Sequence, residues 1–358
     1  MYNVAIIGCG RISHKIAEGV AKNNDRMKLV VLCDPIEEKM FETEKTYNKK
    51  VEKENTILKY KDYKEILKEN KIDIAIISTE SGYHEEIGLY FLENGVNLII
   101  EKPLAMSIEG AQKLVDTAKK NNLKLAASHQ NRFNYPIQLL KKAIKENRLG
   151  RIFNGMARIL WTRDDNYYLQ APWRGTWALD GGTLMNQCIH NIDLINWMMD
   201  DEIDTVYAQT SNYIRNIEAE DYGVILIRYK SGKIATIEGS AIIYPKNLEE
   251  TLTVTGEKGT VVIGGMAVNK INTWRVEGDN EQEYLSIDCG DPNSVYGYGH
   301  EALYKDFVDA LDENREPLVN GIAGLNAVKI ILAAYKSQKT GMAIKFDEFL
   351  KFSTVDMV

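Results

Sequence analysis

The stretch Asn3-Val4-Ala5-Ile6-Ile7-Gly8-Cys9-Gly10-Arg11-Ile12-Ser13 decides how the chain folds. Asn3 to Ile7 reads as a short apolar strand, and a helical pattern follows through about Lys22. Gly8 permits the tight turn between them. Gly10 removes a side chain where a pyrophosphate would approach the backbone, and Arg11 and Ile12 lead into a helix N-terminus that attracts its charge. Ser13 stands where a third glycine is usual. A second strand, Lys28 to Cys33, ends in Asp34, about the expected distance downstream for a carboxylate that takes the adenosine ribose hydroxyls. Asp34 is followed by Pro35 and Ile36, which offer no cation to a 2'-phosphate, so NAD is expected over NADP.

Strand and helix keep alternating: Ile72 to Ser78, a helix from about Gly82 to Asn94, Asn97 to Ile100, a helix from about Ile108 to Asn121, and Lys124 to Ala127. Apolar strands in βαβ repetition imply a parallel sheet covered on both faces. The run Leu98-Ile99-Ile100-Glu101-Lys102-Pro103-Leu104 ends one of these strands in a carboxylate and an amine, at the strand end where ligands of such sheets bind. Residues 1–128 are thus expected to form a Rossmann dinucleotide-binding domain.

Past His129 the pattern changes. A helix from about Tyr135 to Asn147 and a long strand, Arg151 to Thr162, lead into an arginine-bearing aromatic loop. Alternating runs follow at Asp204 to Tyr213, Tyr222 to Tyr229, Lys233 to Ile243, Glu249 to Thr255, Gly259 to Ile263 and Lys270 to Glu277. Their turns carry Ser231-Gly232 and Glu257-Lys258-Gly259, so residues 129–358 are expected to form an α/β domain with a large, mostly antiparallel open sheet. Helices near His300 to Asn314 and Gly321 to Lys339 close it.

With 358 residues, two domains are natural. A formal charge of −7, without a basic block, argues against nucleic acid or an anionic membrane as partner, and a small molecule is expected instead. The chain opens directly on a strand and has no apolar run long enough to span a bilayer, so a cytoplasmic protein is expected. Cys9, Cys33, Cys188 and Cys289 form no C-x-x-C pair, and the five histidines include no H-x-x-x-H spacing, so no metal site is expected.

Asp180-Gly181-Gly182-Thr183-Leu184-Met185-Asn186-Gln187-Cys188-Ile189-His190 reads as the start of one helix running on to Trp197, with Asp180 as its cap. Asn186, His190, Asp193 and Trp197 would then share one face, and Leu184, Cys188, Ile192 and Ile195 would bury the other.

G-x-G-x-x-S at 8–13, E-K-P at 101–103, G-G-x-x-x-N-x-x-x-H at 181–190 and the late run G-H-E-A-L-Y-K-D-F-V-D-A-L together resemble the glucose-fructose oxidoreductase, inositol dehydrogenase and rhizopine catabolism (Gfo/Idh/MocA) family. The resemblance spans the chain and implies an NAD(P)-dependent dehydrogenase acting on sugar or cyclitol hydroxyls, assembled as a homodimer or homotetramer through its open sheet. Within the family, W-x-R-D-x-x-Y-Y from Trp161, W-R-G-T-W from Trp173, L-M-N-Q-x-x-H from Leu184, Y-P-K-N-L-E from Tyr244 and G-E-K-G-T-V from Gly256 resemble the branch that oxidises UDP-N-acetylglucosaminuronic acid at its C3 hydroxyl.

By that resemblance Lys102 would hydrogen-bond the reacting hydroxyl and the nicotinamide ribose, Glu101 would orient the ribose, and the Lys102-Pro103 bond would be cis. His190 would take the hydroxyl proton; Lys102, beside a positive nicotinamide that lowers its pKa, is the other candidate base. Asn186 stands where the family has Asp and cannot titrate, so it is assigned to positioning substrate. Arg163 and Arg174 are candidates for a carboxylate or diphosphate, and Tyr167, Tyr168 and Trp177 for the pocket wall. Thr79 and His84 lie in T-E-S-G-Y-H where the family has T-P-x-x-x-H, and with Gln130 they are expected to contact cofactor. His300 would touch substrate or cap its helix. A free sugar or inositol is the alternative substrate, and a non-catalytic NAD-binding sensor the alternative of another class.

Overall fold

The structure is a computed structural model and describes residues 1–53, 55–290, 297 and 299–358. It divides into two units, Met1–Ser128 with His300–Leu325, and His129–Gly299 with Asn326–Val358.

In the first unit the chain runs β1 (Tyr2–Ile7), α1 (Ser13–Lys22), β2 (Met27–Cys33), α2 (Glu37–Val51), β3 (Leu58–Tyr60), α3 (Ile66–Glu69), β4 (Ile74–Ile77), α4 (His84–Glu93), β5 (Asn97–Ile100), α5 (Ile108–Lys120) and β6 (Leu125–Ala127). The strands form one parallel sheet in the order β3-β2-β1-β4-β5-β6. Every residue of β4 and β6 is buried, as befits strands covered on both faces. α5 starts at Ser107, whose hydroxyl accepts the Gly110 N–H at 2.9 Å, and ends on Lys119 and Lys120, which complement its dipole. The strand order reverses between β1 and β4, which is where such sheets open a ligand crevice.

In the second unit a 3-10 turn at Gln130–Phe133 precedes α6 (Tyr135–Lys145), β7 (Ile152–Leu160), α7 (Asp165–Leu169), α8 (Thr183–Asn186) and α9 (Ile189–Met199). Then come β8 (Ile203–Ser211), β9 (Tyr222–Tyr229), β10 (Ile234–Ser240), β11 (Glu249–Gly256), β12 (Gly259–Gly264), β13 (Lys270–Val276) and α10 (Glu281–Leu285). After these come α11 (Gly299–Asp312), α12 (Gly321–Thr340), β14 (Ile344–Lys345) and a closing 3-10 turn at Thr354–Met357. The sheet order is β13-β12-β11-β7-β10-β9-β8-β14, antiparallel except for the pair β7 and β10. β9 alternates buried and outward residues along its length, so one face is covered and the other, with Met156, Val224 and Leu226, is exposed. α9 lies on the covered face, and a side chain on Gly155 would collide with Ile195 and Met199.

Residues His300–Leu325, expected with the second domain, pack with the first unit. Arg26 pairs with Asp309 and Asp312, Lys22 with Glu301, and a Cβ on Gly19 would come within 2.6 Å of the Tyr304 ring.

The single helix expected from the Gly-Gly segment is two helices. The N–H groups of Gln187 and Cys188 both reach back to the Thr183 carbonyl, and the five-residue reach of the second widens the turn and ends α8. Asp180 caps neither helix; its carboxylate accepts the Gly175 N–H at 2.8 Å. α9 is anchored by a buried ion pair in which Arg132 Nε and Nη2 donate to Asp193 at 2.7 and 2.6 Å, with the guanidinium 4.8 Å above the Trp197 ring. Lys141 donates to the Trp197 carbonyl at 2.6 Å.

Asp193→Ala removes the carboxylate paired with a buried guanidinium and should lower unfolding free energy by about 3–5 kcal/mol, most of it regained by adding Arg132→Met, as read by denaturant unfolding. Separately, burial pushes the carboxyl of Glu250 up to about 8, against Asn191 and Arg163, which lower it. The folded state therefore holds a proton that the unfolded chain releases near 4.5, and the stability this lends is lost as pH rises from there through about 8. Thermal melts of wild type should fall relative to Glu250→Gln between these values, by on the order of 1 kcal/mol per pH unit.

Candidate active site

In the first unit the turn after β1 is set by close packing. Gly8 has φ +91°, and a Cβ there would lie 2.6 Å from backbone atoms of Ser78 and Thr79. Gly10, by contrast, faces open space: a Cβ on it would meet nothing within 4 Å. Exposed Arg11 and half-buried Ile12 follow, and no side chain caps α1. Asp34 is buried beside this turn, with Oδ2 accepting the Cys9 N–H at 2.8 Å and Oδ1 the Ile36 N–H at 2.9 Å. Ser13 donates to the Gly10 carbonyl at 2.8 Å and pairs with Thr43 at 2.9 Å, which is why a hydroxyl is tolerated where a glycine is usual. The open backbone at Gly10, the uncapped helix and the fixed carboxylate fit a dinucleotide.

The E-K-P segment follows β5, and the Lys102-Pro103 bond is cis. Glu101 is buried, and His300 Nε2 stands 3.8 Å from its Oε1. Burial alone would raise the Glu101 carboxyl, but His300, Lys102 and Ser128 outweigh it and hold the group below its ordinary value. It is therefore an ionised acceptor. His300 is buried against this carboxylate as the second residue of α11.

His84, expected to contact cofactor, is buried, and both ring nitrogens face backbone carbonyls, Nδ1 that of Pro103 at 2.7 Å and Nε2 that of Thr79 at 3.2 Å. Burial lowers its pKa despite those carbonyls. The neutral imidazole, with one N–H to donate, sits packed between the loop after β4 and the E-K-P segment. Thr79 is half-buried and donates to the Glu80 carbonyl at 3.3 Å.

In the second unit two guanidinium groups approach the Tyr167 ring, Arg174 at 4.0 Å and Arg163 at 5.3 Å from its centroid. Arg163 donates to the Thr162 carbonyl at 2.7 Å and to Gln187 Oε1 at 2.8 Å. Gln187 in turn donates to Asn186 Oδ1 at 2.8 Å and to the Tyr167 hydroxyl at 3.0 Å, and Asn186 donates to Asp180. One hydrogen-bonded chain thus joins Arg163, Gln187, Asn186 and Asp180 to the W-R-G-T-W loop. Gln187 was visible in L-M-N-Q, but its role as the link was not. Arg174 Nη1 donates to the Tyr167 carbonyl at 3.3 Å, and its Nε is buried without a hydrogen-bond partner among the described residues.

Tyr168 is half-buried with its phenol pushed above the ordinary range by burial, so it stays neutral. Trp177 sets its ring edge-on to Tyr335 at 5.1 Å. Half-buried His190 meets the His129 ring edge-on at 5.7 Å. Gln130 is buried, and its Oε1 accepts no hydrogen bond among the described residues.

Two family models match. Residues 2–129 match the oxidoreductase family's NAD-binding Rossmann fold, and residues 141–346 its C-terminal alpha/beta domain. The WlbA dehydrogenase of Bordetella pertussis, solved with NADH and UDP-GlcNAcA, is 32% identical with a TM-score of 0.85, over 96% of this chain and 98% of that one. The Chromobacterium violaceum WlbA dehydrogenase, with the same ligands, is 31% identical at 0.85, over 96% and 95%. Myo-inositol 2-dehydrogenase of Thermotoga maritima is 24% identical over 97% of this chain and 99% of its own length. With both domains matched and a dinucleotide cradle in place, the chain belongs to the Gfo/Idh/MocA family of NAD-dependent oxidoreductases that act on CH–OH groups.

Proposed function

We propose that the protein oxidises the C3 hydroxyl of a UDP-N-acetylhexosaminuronic acid, and the observation that carries this is the pair of guanidinium groups, Arg163 and Arg174, gathered at the Tyr167 ring. Guanidinium binds carboxylate and phosphate in bidentate fashion, and a UDP-uronate offers both. The likeness to two WlbA dehydrogenases that hold UDP-GlcNAcA supports the reading. A neutral cyclitol, the substrate named for the inositol dehydrogenases among the relatives, is the second reading.

NAD, when bound, supplies the hydride acceptor. Gly8, Gly10, Arg11 and Ile12 would receive its pyrophosphate, Asp34 its adenosine ribose, and Thr79, Glu101 and Gln130 its nicotinamide half. His84 serves by packing between the loop after β4 and the segment that carries Lys102, because it is buried with both ring nitrogens facing backbone carbonyls. His190 and Lys102 are assigned to the hydroxyl proton, Lys102 as hydrogen-bond donor to the reacting oxygen and His190 as its base. Asn186, oriented from both sides by Gln187 and Asp180, would hold a sugar hydroxyl or the N-acetyl group. Tyr168 and Trp177 would line the pocket. The exposed sheet face bearing Met156, Val224 and Leu226 would pair with a second copy, giving a homodimer or homotetramer.

Mixing the protein with NAD and UDP-N-acetylglucosaminuronic acid should produce NADH absorbance, with UDP-N-acetylglucosamine, glucose and myo-inositol silent. Signal from myo-inositol with the uronate silent would transfer the assignment to the second reading. Lys102→Ala and His190→Ala should each lower turnover ~100-fold or more while NAD still binds, and wild-type turnover in either would remove that residue from the proton transfer. Arg163→Ala or Arg174→Ala should raise the KM for the uronate by roughly 10- to 100-fold, the loss of a charge-assisted contact. An unchanged KM in both would detach the arginines from the substrate.

A further inference from the structure

Glu220 is buried at 3% exposure, and the proposed reaction does not use it. Its surroundings give it another task. Three successive N–H groups at the start of the Gly-Gly segment end on it or on its neighbour. The Thr183 N–H donates to the Glu220 carbonyl at 2.9 Å, the Leu184 N–H to its Oε1 at 2.8 Å, and the Gly182 N–H to the Tyr335 hydroxyl at 3.3 Å. That hydroxyl donates to the same Oε1 at 3.1 Å. A Cβ on Gly182 would overlap the carboxyl, so the second glycine of the pair exists to admit it. No side chain caps α8 from within its own segment.

The next residue fixes Glu220 in turn. Asp221 accepts the N–H groups of Tyr213, Ile214 and Arg215 at 2.9, 2.9 and 3.0 Å, and β9 begins immediately after it. The carboxyl is thus mounted on the sheet and reaches across to the helix start. Downstream of that start lie Asn186, the last residue of α8, and His190, the second of α9.

We propose that Glu220 is a positioning residue that holds the Gly181-Gly182 turn against the sheet and thereby sets where Asn186 and His190 stand for the reaction. The inference rests on the proposed roles of those two residues. Burial, opposed by the N–H donors and by Tyr335, pushes the carboxyl up to about 8, so near neutral pH its acceptor oxygen serves the turn without a full buried charge. An amide of the same shape can do likewise.

The test compares Glu220→Ala, Glu220→Gln and Tyr335→Phe in the full chain with NAD. The readouts are kcat, NAD affinity and the imidazole NMR resonance of His190, assigned by its loss in His190→Ala. Glu220→Ala should lower kcat by roughly 10- to 100-fold, leave NAD affinity within about twofold and shift the His190 resonance, as a small misplacement of a reacting group does. Glu220→Gln should restore all three. A folded Glu220→Ala with kcat and resonance unmoved overturns the proposal, as does Glu220→Gln failing as badly as Ala. If Glu220→Ala does not fold, Tyr335→Phe decides: a shifted resonance with lowered kcat supports the proposal, and no change in either overturns it. If wild type oxidises none of the sugars, the substrate assignment fails by itself, and the resonance still tests the positioning.

Discussion

The contact on which the nucleotide-binding half depends is the one that forbids a side chain at residue 8. Gly8 donates its N–H to the Cys33 carbonyl at 2.8 Å while its own carbonyl accepts the Ser78 hydroxyl at 2.7 Å. The ends of β1, β2 and β4 are thereby drawn together at one point. Glu101, which donates its N–H to the Ile77 carbonyl at 2.8 Å, adds the end of β5 to the same edge. A parallel sheet sends all its strand ends the same way, so Gly10, Asp34, Thr79 and Lys102 gather there although they are far apart in sequence. Any substituent at Gly8 would have to open this junction, and the carboxylate and amine would move with it.

The second unit solves a different problem, that of holding short helices at defined height over an antiparallel sheet. Small residues let them approach: a side chain on Gly239 would meet Cys188, and one on Gly223 would meet Leu184. Polar anchors then fix their ends, Glu220 at the start of α8 and the Arg132–Asp193 pair along α9. Apolar packing alone is nondirectional and would allow the helices to slide; the buried hydrogen bonds select one register. The Gly182 and Glu220 pair illustrates this, because the space left by a missing side chain is filled by the group that binds the backbone there.

Much of this was legible in the chain. β5 and β9 begin and end at the residues read from their apolar run and their alternation, Asn97–Ile100 and Tyr222–Tyr229. The region from Glu37 to Glu69 carries little such signal, since α2 is so rich in Glu and Lys that its narrow buried stripe, Met40, Thr43 and Tyr47, barely registers as a period. The break between α8 and α9 was hidden for the opposite reason: Leu184, Cys188 and Ile192 keep a perfect four-residue spacing while the backbone widens beneath them. Motifs placed Gly8, Glu101 and Lys102 on strand ends. They could place His84 but not say which way its ring points. Glu220 was beyond reach, because nothing in A-E-D-Y marks a residue that serves a turn so far back along the chain.

The electrostatic character of the two halves bears on what the protein can accept. Glu101 is kept ionised in a buried place only because His300, Lys102 and Ser128 surround it, so the charge there is internally balanced. Around Tyr167 the balance is of another kind. Two guanidinium groups approach one ring, and they donate to the Thr162 and Tyr167 carbonyls and to the Gln187 amide oxygen. On the proposed reading, a ligand anion gains charge-assisted hydrogen bonds from both arginines together. A polyol would have to strip water from the same groups and offer only further neutral acceptors in return, a weaker exchange by the difference between charged and neutral hydrogen bonds. Charge at this loop, more than the shape of the sugar ring, is therefore what would separate a nucleotide uronate from an inositol.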